Sequence, residues 1–367
     1  YAFRTNANST WRNDASKQPE WGVCNSNVTV TLTDTDTDNF LSGSDTVTIT
    51  ASFSEAMTAT PTISITGVVT NVAMSGGTAS FTASDIATSA DGARSVFAAD
   101  MDGDGDMDIV SASEIDDTIA WYENNGAADP SWTAADIATS ADGARSVFAA
   151  DMDGDGDMDI ISASYADDTI AWYENNGAAD PTWAASDIAT SADGAYSVFA
   201  ADMDGDGDMD ILSASYTDDT IAWYENNGAA DPTWTAANIA TSADGAISVY
   251  AADMDGDGDM DIVSASYADD TIAWYENNGA ADPSWTAADI ATSADGAYSV
   301  FAADMDGDGD MDILSASYTD DTIAWYENNG AADPSFTAAD IATSADGARS
   351  VFAADMDGDG DMDILSA

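Results

Sequence analysis

From about residue 95 the chain repeats a single alternation of apolar and polar positions. In the first copy SVFAAD (Ser95–Asp100) is a short apolar run, an acidic stretch follows, and MDIVSAS (Met107–Ser113) alternates apolar with small polar residues. EIDD then reads as a turn and TIAWYENNG (Thr118–Gly126) as an aromatic run with an Asn-Asn-Gly exit. AADP leads into SWTAADIAT (Ser131–Thr139), and SADGA returns the chain to the next copy. Period-two alternation over short runs, bounded by Gly, Pro, Asn and Asp, predicts β-strands. Each copy is therefore read as four short antiparallel strands, with the acidic stretch as the hairpin loop between the first two. A helical 3.6-residue period occurs nowhere, which excludes an α-solenoid. A parallel β-helix would need a shorter coil without long hairpin loops. The pattern suits a propeller blade.

The acidic nonapeptide DMDGDGDMD starts at Asp100, Asp151, Asp202, Asp253, Asp304 and Asp355, a constant step of 51 residues, so one supersecondary unit is copied head to tail. Each unit carries an aromatic pair, such as Trp121 with Trp132 or Trp172 with Trp183, expected to pack between adjacent blades; Phe336 takes the second Trp position in the last pair. The sixth copy stops after MDILSA, and SFTASDIAT (Ser80–Thr88) reads as a fourth strand with no blade before it. If that strand completes the last blade, one strand is still lacking. The expected fold is all-β: a β-propeller of six or seven four-stranded blades, preceded by a partial β-sandwich segment. The boundaries are 1–27 unassigned, 28–78 the β-sandwich segment and 79–367 the propeller. A start at Tyr1 and a last residue inside a repeat suggest a piece of a longer chain.

Charge narrows the partners. The chain has 69 acidic residues, six basic ones, no histidine and a formal net charge of -63. Nucleic acid is excluded as a partner, because binding a polyphosphate needs Lys and Arg to displace its counterions. Cations are the natural counterpart. With 45% apolar residues and 11 Trp the chain can still build a core. Without His there is no Ser-His or Cys-His couple and no imidazole zinc site, and the single Cys24 cannot form an internal disulfide. No apolar run reaches the roughly 18 residues that span a bilayer. Oligomeric state is not legible.

The acidic loops have the residue types of a calcium site. Ca²⁺ takes roughly six to eight oxygen ligands, and a short loop curled round the ion supplies them from alternate residues. In the first copy Asp100, Asp102, Asp104 and Asp108 are expected to converge, Asp106 offers its carbonyl, Gly105 permits the sharp turn, and the methionines alternate outward. The equivalent candidates are Asp151, Asp153, Asp155, Asp157 and Asp159; Asp202, Asp204, Asp206, Asp208 and Asp210; and Asp253, Asp255, Asp257, Asp259 and Asp261. The last two copies supply Asp304, Asp306, Asp308, Asp310 and Asp312, then Asp355, Asp357, Asp359, Asp361 and Asp363. An EF-hand would need a Glu at position twelve and flanking helices; here that position is Ser111, in a strand. An unoccupied acidic turn is the plainer alternative, opposed by repulsion among five carboxylates in nine residues. Paired catalytic carboxylates need unlike environments, which six identical loops do not offer. A further TDTDTDNF stretch (Thr33–Phe40) is either another cation segment or a solvated connection.

The pattern D-x-D-x-D-G-x-x-D between two strands, followed by IAWYENNG, resembles the FG-GAP or VCBS repeat, the blade of integrin α-chain-like β-propellers, over about residues 81–367. That resemblance implies a calcium ion in each loop, about one per repeat, an extracellular, secreted or surface-attached setting, and adhesion or ligand recognition. Fungal lectins share this kind of blade, which adds carbohydrate to extracellular protein as an implied partner class. VTVTLTDT, DTVTITASFSE and PTISITG, within residues 28–78, resemble part of a bacterial Ig-like module.

The copies differ from one another in few places. One set precedes the first strand: Arg94, Arg145, Tyr196, Ile247, Tyr298 and Arg349. The other follows the second strand: Glu114-Ile115, Tyr165-Ala166, Tyr216-Thr217, Tyr267-Ala268 and Tyr318-Thr319. Both places lie at the hairpin end opposite the acidic loop, so they share a face. Tyr and Arg are the side chains that most often anchor binding energy. Arg94, Arg145, Tyr165, Tyr196, Tyr216, Tyr267, Tyr298, Tyr318 and Arg349 are therefore the candidate ligand residues; the alternative is drift at exposed loop positions. The expected function is a non-catalytic, calcium-stabilised binding module, with a spacer array in a large surface protein or a polysaccharide-active enzyme as the rival readings.

Overall fold

The computed structural model describes residues 84–127 and 129–367 in full. Upstream it gives the backbone strands Val28–Thr33, Thr48–Phe53, Thr62–Ile65 and Val69–Ala73. The chain divides into two compact units, Tyr1–Thr82 with Asp357–Gly360, and Ala83–Met356 with Asp361–Ala367. In the first unit the four strands form two antiparallel pairs, Val28 opposite Phe53 and Thr62 opposite Ala73. The unassigned segment 1–27 and residues 34–40 of the TDTDTDNF stretch lie outside the described residues. No helix among those described is long and apolar enough to cross a membrane.

The second unit is a run of antiparallel sheets, each drawn from consecutive sequence. The first blade comprises Ala93–Ala99, Asp108–Ser113, Thr118–Asn124 and Trp132–Ala138, hydrogen-bonded in that order. Four more four-stranded blades repeat this order, ending with Phe336–Ala342, and Val351–Ala354 pairs with Asp363–Ser366 as a half blade. The unit is thus five complete blades and two strands of a sixth. Ser84–Thr88 carry no strand, against the expectation for this stretch, and the residues just before them lie outside those described.

Burial is graded from strand to strand. The second strand is buried on both faces in blades two to five, as in Asp159–Ser164, because each sheet is sandwiched between its neighbours. The first strand of each blade packs against the first strand of the next. Alternate residues serve opposite seams: Val110 and Ala112 of the first blade share a cluster with Val147, Ala149 and Ile160 of the second. Where no described sheet precedes the first blade, Val96 is 68% exposed, whereas its equivalent Val147 is 4% exposed. The serines of the second strand are inside too, and Ser162, Ser213 and Ser315 meet the hydroxyls of Tyr173, Tyr224 and Tyr326 at 3.4 Å.

Aromatic rings cross the seams. Trp121 meets Trp183 of the next blade at 6.4 Å, edge to face, and Trp172–Trp234, Trp223–Trp285 and Trp274–Phe336 repeat the contact. The interblade pairing is therefore between copies, not within one. Phe97, Phe148, Phe199, Tyr250, Phe301 and Phe352 on the first strands form a continuous file with centroids 4.4–4.9 Å apart.

Polar stitches run through the same seams. Asn175 Nδ2 donates to Met101 O of the preceding blade at 2.8 Å and to Met158 O of its own at 2.9 Å; Asn226, Asn277 and Asn328 repeat the bridge. From the second blade to the fifth the first Asn of the ENNG run, expected only as a turn residue, is thus a buried interblade clamp. Removing it strands two buried carbonyls, each costing roughly 1–3 kcal/mol. Asn226→Ala is expected to lower unfolding free energy by about 2–4 kcal/mol, and exposed Asn176→Ala by less, as measured by denaturant titration in calcium-containing buffer.

Candidate functional site

The acidic loops are curled by their own backbone. Asp104 N donates to Asp100 Oδ1 and Asp102 Oδ1 at 3.1 Å, Gly105 N to Asp100 Oδ2 at 3.0 Å, and Asp106 N to Asp104 Oδ1 at 2.9 Å. The curl needs left-handed backbone twice, at Gly103 (φ 73) and Gly105 (φ 96), which is why positions four and six are glycine. In five copies the carboxylates at positions one, three and five (Asp100, Asp102 and Asp104; Asp151, Asp153 and Asp155; Asp202, Asp204 and Asp206; Asp253, Asp255 and Asp257; Asp304, Asp306 and Asp308) bring oxygens within 4.8 Å of one another. Ligands on opposite sides of a Ca²⁺ ion stand about 5 Å apart, so the triad has the right span for one shell. Burial of the third-position carboxylate, led by desolvation and aided by its neighbours' charge, raises the pKa of Asp102, Asp153, Asp204 and Asp255.

The seventh carboxylate turns out of the triad. Asp106 lies against Gly126, where any side chain would collide with it, and Asp157, Asp208, Asp259 and Asp310 repeat this against Gly177, Gly228, Gly279 and Gly330. The ninth is placed differently again. Asp108 is 1% exposed, and its oxygens accept from Asn124 N at 2.7 Å, Met101 N at 3.2 Å and Trp121 Nε1 at 3.0 Å. Desolvation pushes the equivalent Asp159, Asp210 and Asp261 up to about 7, although each accepts the same backbone N–H groups. Asp312 is also raised by desolvation, and Asp363 keeps the bond from Met356 N at 3.0 Å. This anchoring of the loop root was missed in the sequence; the invariant Trp and Asn of the third strand are its signature. The methionines correct another expectation. Met101 is 1% exposed and its equivalents Met152, Met203 and Met254 likewise, whereas second methionines such as Met107, at 54%, face out. The N–H bond to the ninth carboxylate draws the first one inward.

The opposite end of each hairpin is fixed by register: Ala99 pairs with Asp108 at the acidic loop, and Ala93 with Ser113 at the far end. There an invariant frame holds variable side chains. Tyr165 N donates to Gly143 O at 3.0 Å, Gly143 N donates to Asp117 Oδ1 of the previous blade at 3.0 Å, and Asp117 adopts φ 56 to accept it. The frame recurs at Tyr216, Tyr267 and Tyr318.

These side chains converge on one basin of about 360 Å³, lined by Arg145, Tyr165, Tyr196, Tyr216, Ile247, Tyr267, Tyr298, Tyr318 and Arg349. Arg145 stacks on the rings of Tyr165 and Tyr196 at 4.9 and 4.8 Å, and Arg349 on Tyr298 and Tyr318 at 5.2 and 4.7 Å. Tyr196 and Tyr298, from the third and fifth blades, join through their hydroxyls. The fourth blade offers Ile247 at the same position, whose short buried side chain leaves room for the two tyrosines to meet. Burial, reinforced by the Tyr298 hydroxyl, raises the pKa of Tyr196 far above the usual phenol range. Arg94 alone of the nine candidates stays outside the lining and pairs with Glu114, which also binds Arg145.

The FG-GAP-like repeat model matches five overlapping stretches of the chain, residues 100–162, 151–213, 202–264, 253–315 and 305–366. No curated protein matches. Among solved structures the chain is similar to the V. cholerae biofilm matrix protein Bap1, with 20% identity and a TM-score of 0.42, over 70% of this chain and 40% of that one. It is also similar to the periplasmic gluconolactonase PpgL of Pseudomonas aeruginosa, with 12% identity and a TM-score of 0.43 over 66% of this chain and 72% of that one. A third is the fucose-recognising six-bladed β-propeller lectin of Aleuria aurantia, with 14% identity and a TM-score of 0.42 over 68% and 79%. The chain thus spans less than half the length of Bap1. With the acidic loop opening every matched stretch and the matches running from residue 100 to 366, the chain belongs to the FG-GAP-like repeat family.

Proposed function

We propose that this chain is the calcium-stapled recognition module of an extracellular or surface-attached protein, binding a carbohydrate or protein partner in the tyrosine–arginine basin and catalysing nothing. One observation carries the reading: the two places where the copies exchange residues of different charge and size, Arg, Tyr or Ile at one and Glu or Tyr at the other, are brought together at that basin. Differences on the exposed outer strands are mild exchanges, Trp for Phe, Thr for Ala, Ala for Ser and Asp for Asn, whereas those in the basin change both charge and size. The spacer reading draws on the same near-identity, but it gives no reason for Tyr and Arg to meet in one place. The loops recur identically while an active site would be singular, so they serve as staples.

The donor set fits calcium. It consists of hard carboxylate oxygens, in a chain whose acidic loops contain no His or Cys, so softer zinc-type coordination is disfavoured. Positions one, three and five would hold the ion, with the carbonyl of position seven and the anchored ninth carboxylate completing the shell. Free calcium at ten times its dissociation constant stabilises each site by about 1.4 kcal/mol, so six sites together rival the stability of an ordinary domain.

Chelation is expected to lower Tm by roughly 10–20 °C, and calcium to restore it with a stoichiometry near one ion per repeat by equilibrium dialysis. An identical Tm with and without EDTA would sink the staple. For the basin, the half-buried tyrosines pack on one another, so truncation to alanine would cost stability as well as binding. The pair Tyr196→Phe and Tyr298→Phe keeps the rings and removes the hydroxyl bridge. In a glycan and matrix-protein array screen this double variant should bind its best ligand about tenfold more weakly, with Tm shifted by no more than about 2 °C. Unchanged binding, or no ligand at all for the parent protein, would favour the spacer.

A further inference from the structure

The buried asparagine clamps join more than sheets, because each also reaches the acidic loop of its own blade. Asn226 Nδ2 donates to Met152 O, in the preceding loop, at 2.8 Å, and Asn226 N donates to Asp210 Oδ1, the ninth carboxylate of its own loop, at 2.7 Å. Met152 N donates to Asp159 Oδ2, the ninth carboxylate of the preceding loop, at 3.1 Å. Met152 and Asn226 are thus the two residues that connect the root of one loop to the root of the next. The same link recurs at Asn175, Asn277 and Asn328. With the N–H bonds of the paired methionines, one unbroken line joins the ninth carboxylates of five consecutive loops, from Asp108 to Asp312.

Burial gives the line its stiffness. The four clamp asparagines, their methionine partners and the five ninth aspartates are at most 2% exposed. Water cannot replace a bond that loosens there, and a buried group left unpaired costs more than the bond itself contributes. The loop tips are the opposite case: Gly205, Asp206 and Gly207 of the third blade are exposed. With nothing between them, the carboxylates at positions one, three and five repel one another and drive the tip open. An ion that gathers Asp202, Asp204 and Asp206 fixes the chain on both sides of Met203, which is position two of that loop. Fixing Met203 fixes its N–H on Asp210 and the carbonyl that holds Asn277, and Asn277 N holds Asp261 at the root of the fourth loop. Ordering one loop therefore removes freedom from its neighbour before the neighbour's own ion arrives. The sign of such a coupling is positive, and it acts in both directions.

We propose that cation binding is positively cooperative between neighbouring blades, with the clamp asparagine as the positioning residue that carries the coupling from loop to loop. This rests on the loops being calcium sites and adds how those sites act on one another.

The test blocks one loop of the full chain and reads its neighbours. Asp204→Asn with Asp206→Asn keeps the side-chain oxygens that accept from Asp206 N and Asp208 N but removes two carboxylates from the third triad. Two lost negative charges offset the lost divalent ion, so in calcium the blocked loop carries the net charge of a loaded one and long-range repulsion is held level. Hydrogen–deuterium exchange at graded calcium is read on the second and fourth loops, where Ile161 with Ala166 and Val263 with Ala268 give peptides that no other copy shares. Blocking the third loop is expected to raise the calcium midpoint for protection of both neighbours about fivefold or more. With Asn226→Ala added, the second loop should ignore the block to within about twofold, while the fourth, still linked through Asn277, responds as before. Neighbours unmoved by the block would overturn the coupling even if Asn226→Ala does not fold, and a response of the second loop that survives Asn226→Ala would overturn the role of the clamp. The two levels fail separately. One ion per repeat by equilibrium dialysis, with loops that titrate independently, removes only the cooperativity. No calcium-dependent protection in any loop removes the staple reading with it.

Discussion

Everything in the propeller unit hangs from one buried carboxylate per blade. Asp210 accepts N–H groups from Met203, at the start of its loop, and from Asn226, on the third strand, with the indole of Trp223 beside it. Asn226 in turn clamps Met152 O of the preceding blade. The residue that ends the acidic loop therefore sits in the same hydrogen-bonded chain as the seam between blades. A buried carboxylate without such donors would cost several kcal/mol. Here the donors come from the loop and from the third strand, so the loop cannot reshape without loosening that strand and, through Asn226, the neighbouring sheet.

The second constraint is charge. Six divalent ions would cancel 12 of the 63 net negative charges, and the rest must be tolerated by screening, which favours a salty or calcium-rich medium. The fold contains the problem by geometry. At the loop ends the carboxylates are gathered in triads that backbone N–H groups bind, and at the far ends other backbone N–H groups meet them, as Gly143 N meets Asp117 at 3.0 Å and Gly194 N meets Asp168 at 2.8 Å. Among the described residues guanidinium groups enter only there, as Arg94, Arg145 and Arg349, which places the positive charge at the end away from the acidic loops.

Much of this was legible in the sequence because a repeat multiplies each signal six times. Strand order, hairpin loop and end-of-strand placement of the variable residues all follow from period-two alternation and one register. What escaped was what period two cannot encode. The alternation in DIISAS suggests one wet face, yet both faces are covered, since a blade has neighbours on each side. Trp121 seeks Trp183 across the seam instead of Trp132 in its own copy, and the first Asn of ENNG reaches a carbonyl 74 residues away. These are interblade contacts, invisible while a repeat is read in isolation. The inward turn of Met101 has the same origin, because its N–H serves the ninth aspartate.

Identical blades also set a limit on function. A ring of equal units offers equal surfaces, so a single specific ligand requires that the equality be broken. The break is made with few residues. Glu114 replaces a tyrosine in the first copy and pairs with both Arg94 and Arg145. Ile247 replaces a longer side chain in the fourth and lets Tyr196 and Tyr298 close over it. Each change is mild by itself and sits on a frame of turn hydrogen bonds that does not vary. Constancy and variation thereby fall at opposite ends of the same hairpin: the acidic loop recurs unchanged in every copy, while the far end carries the residues that differ most in charge and size.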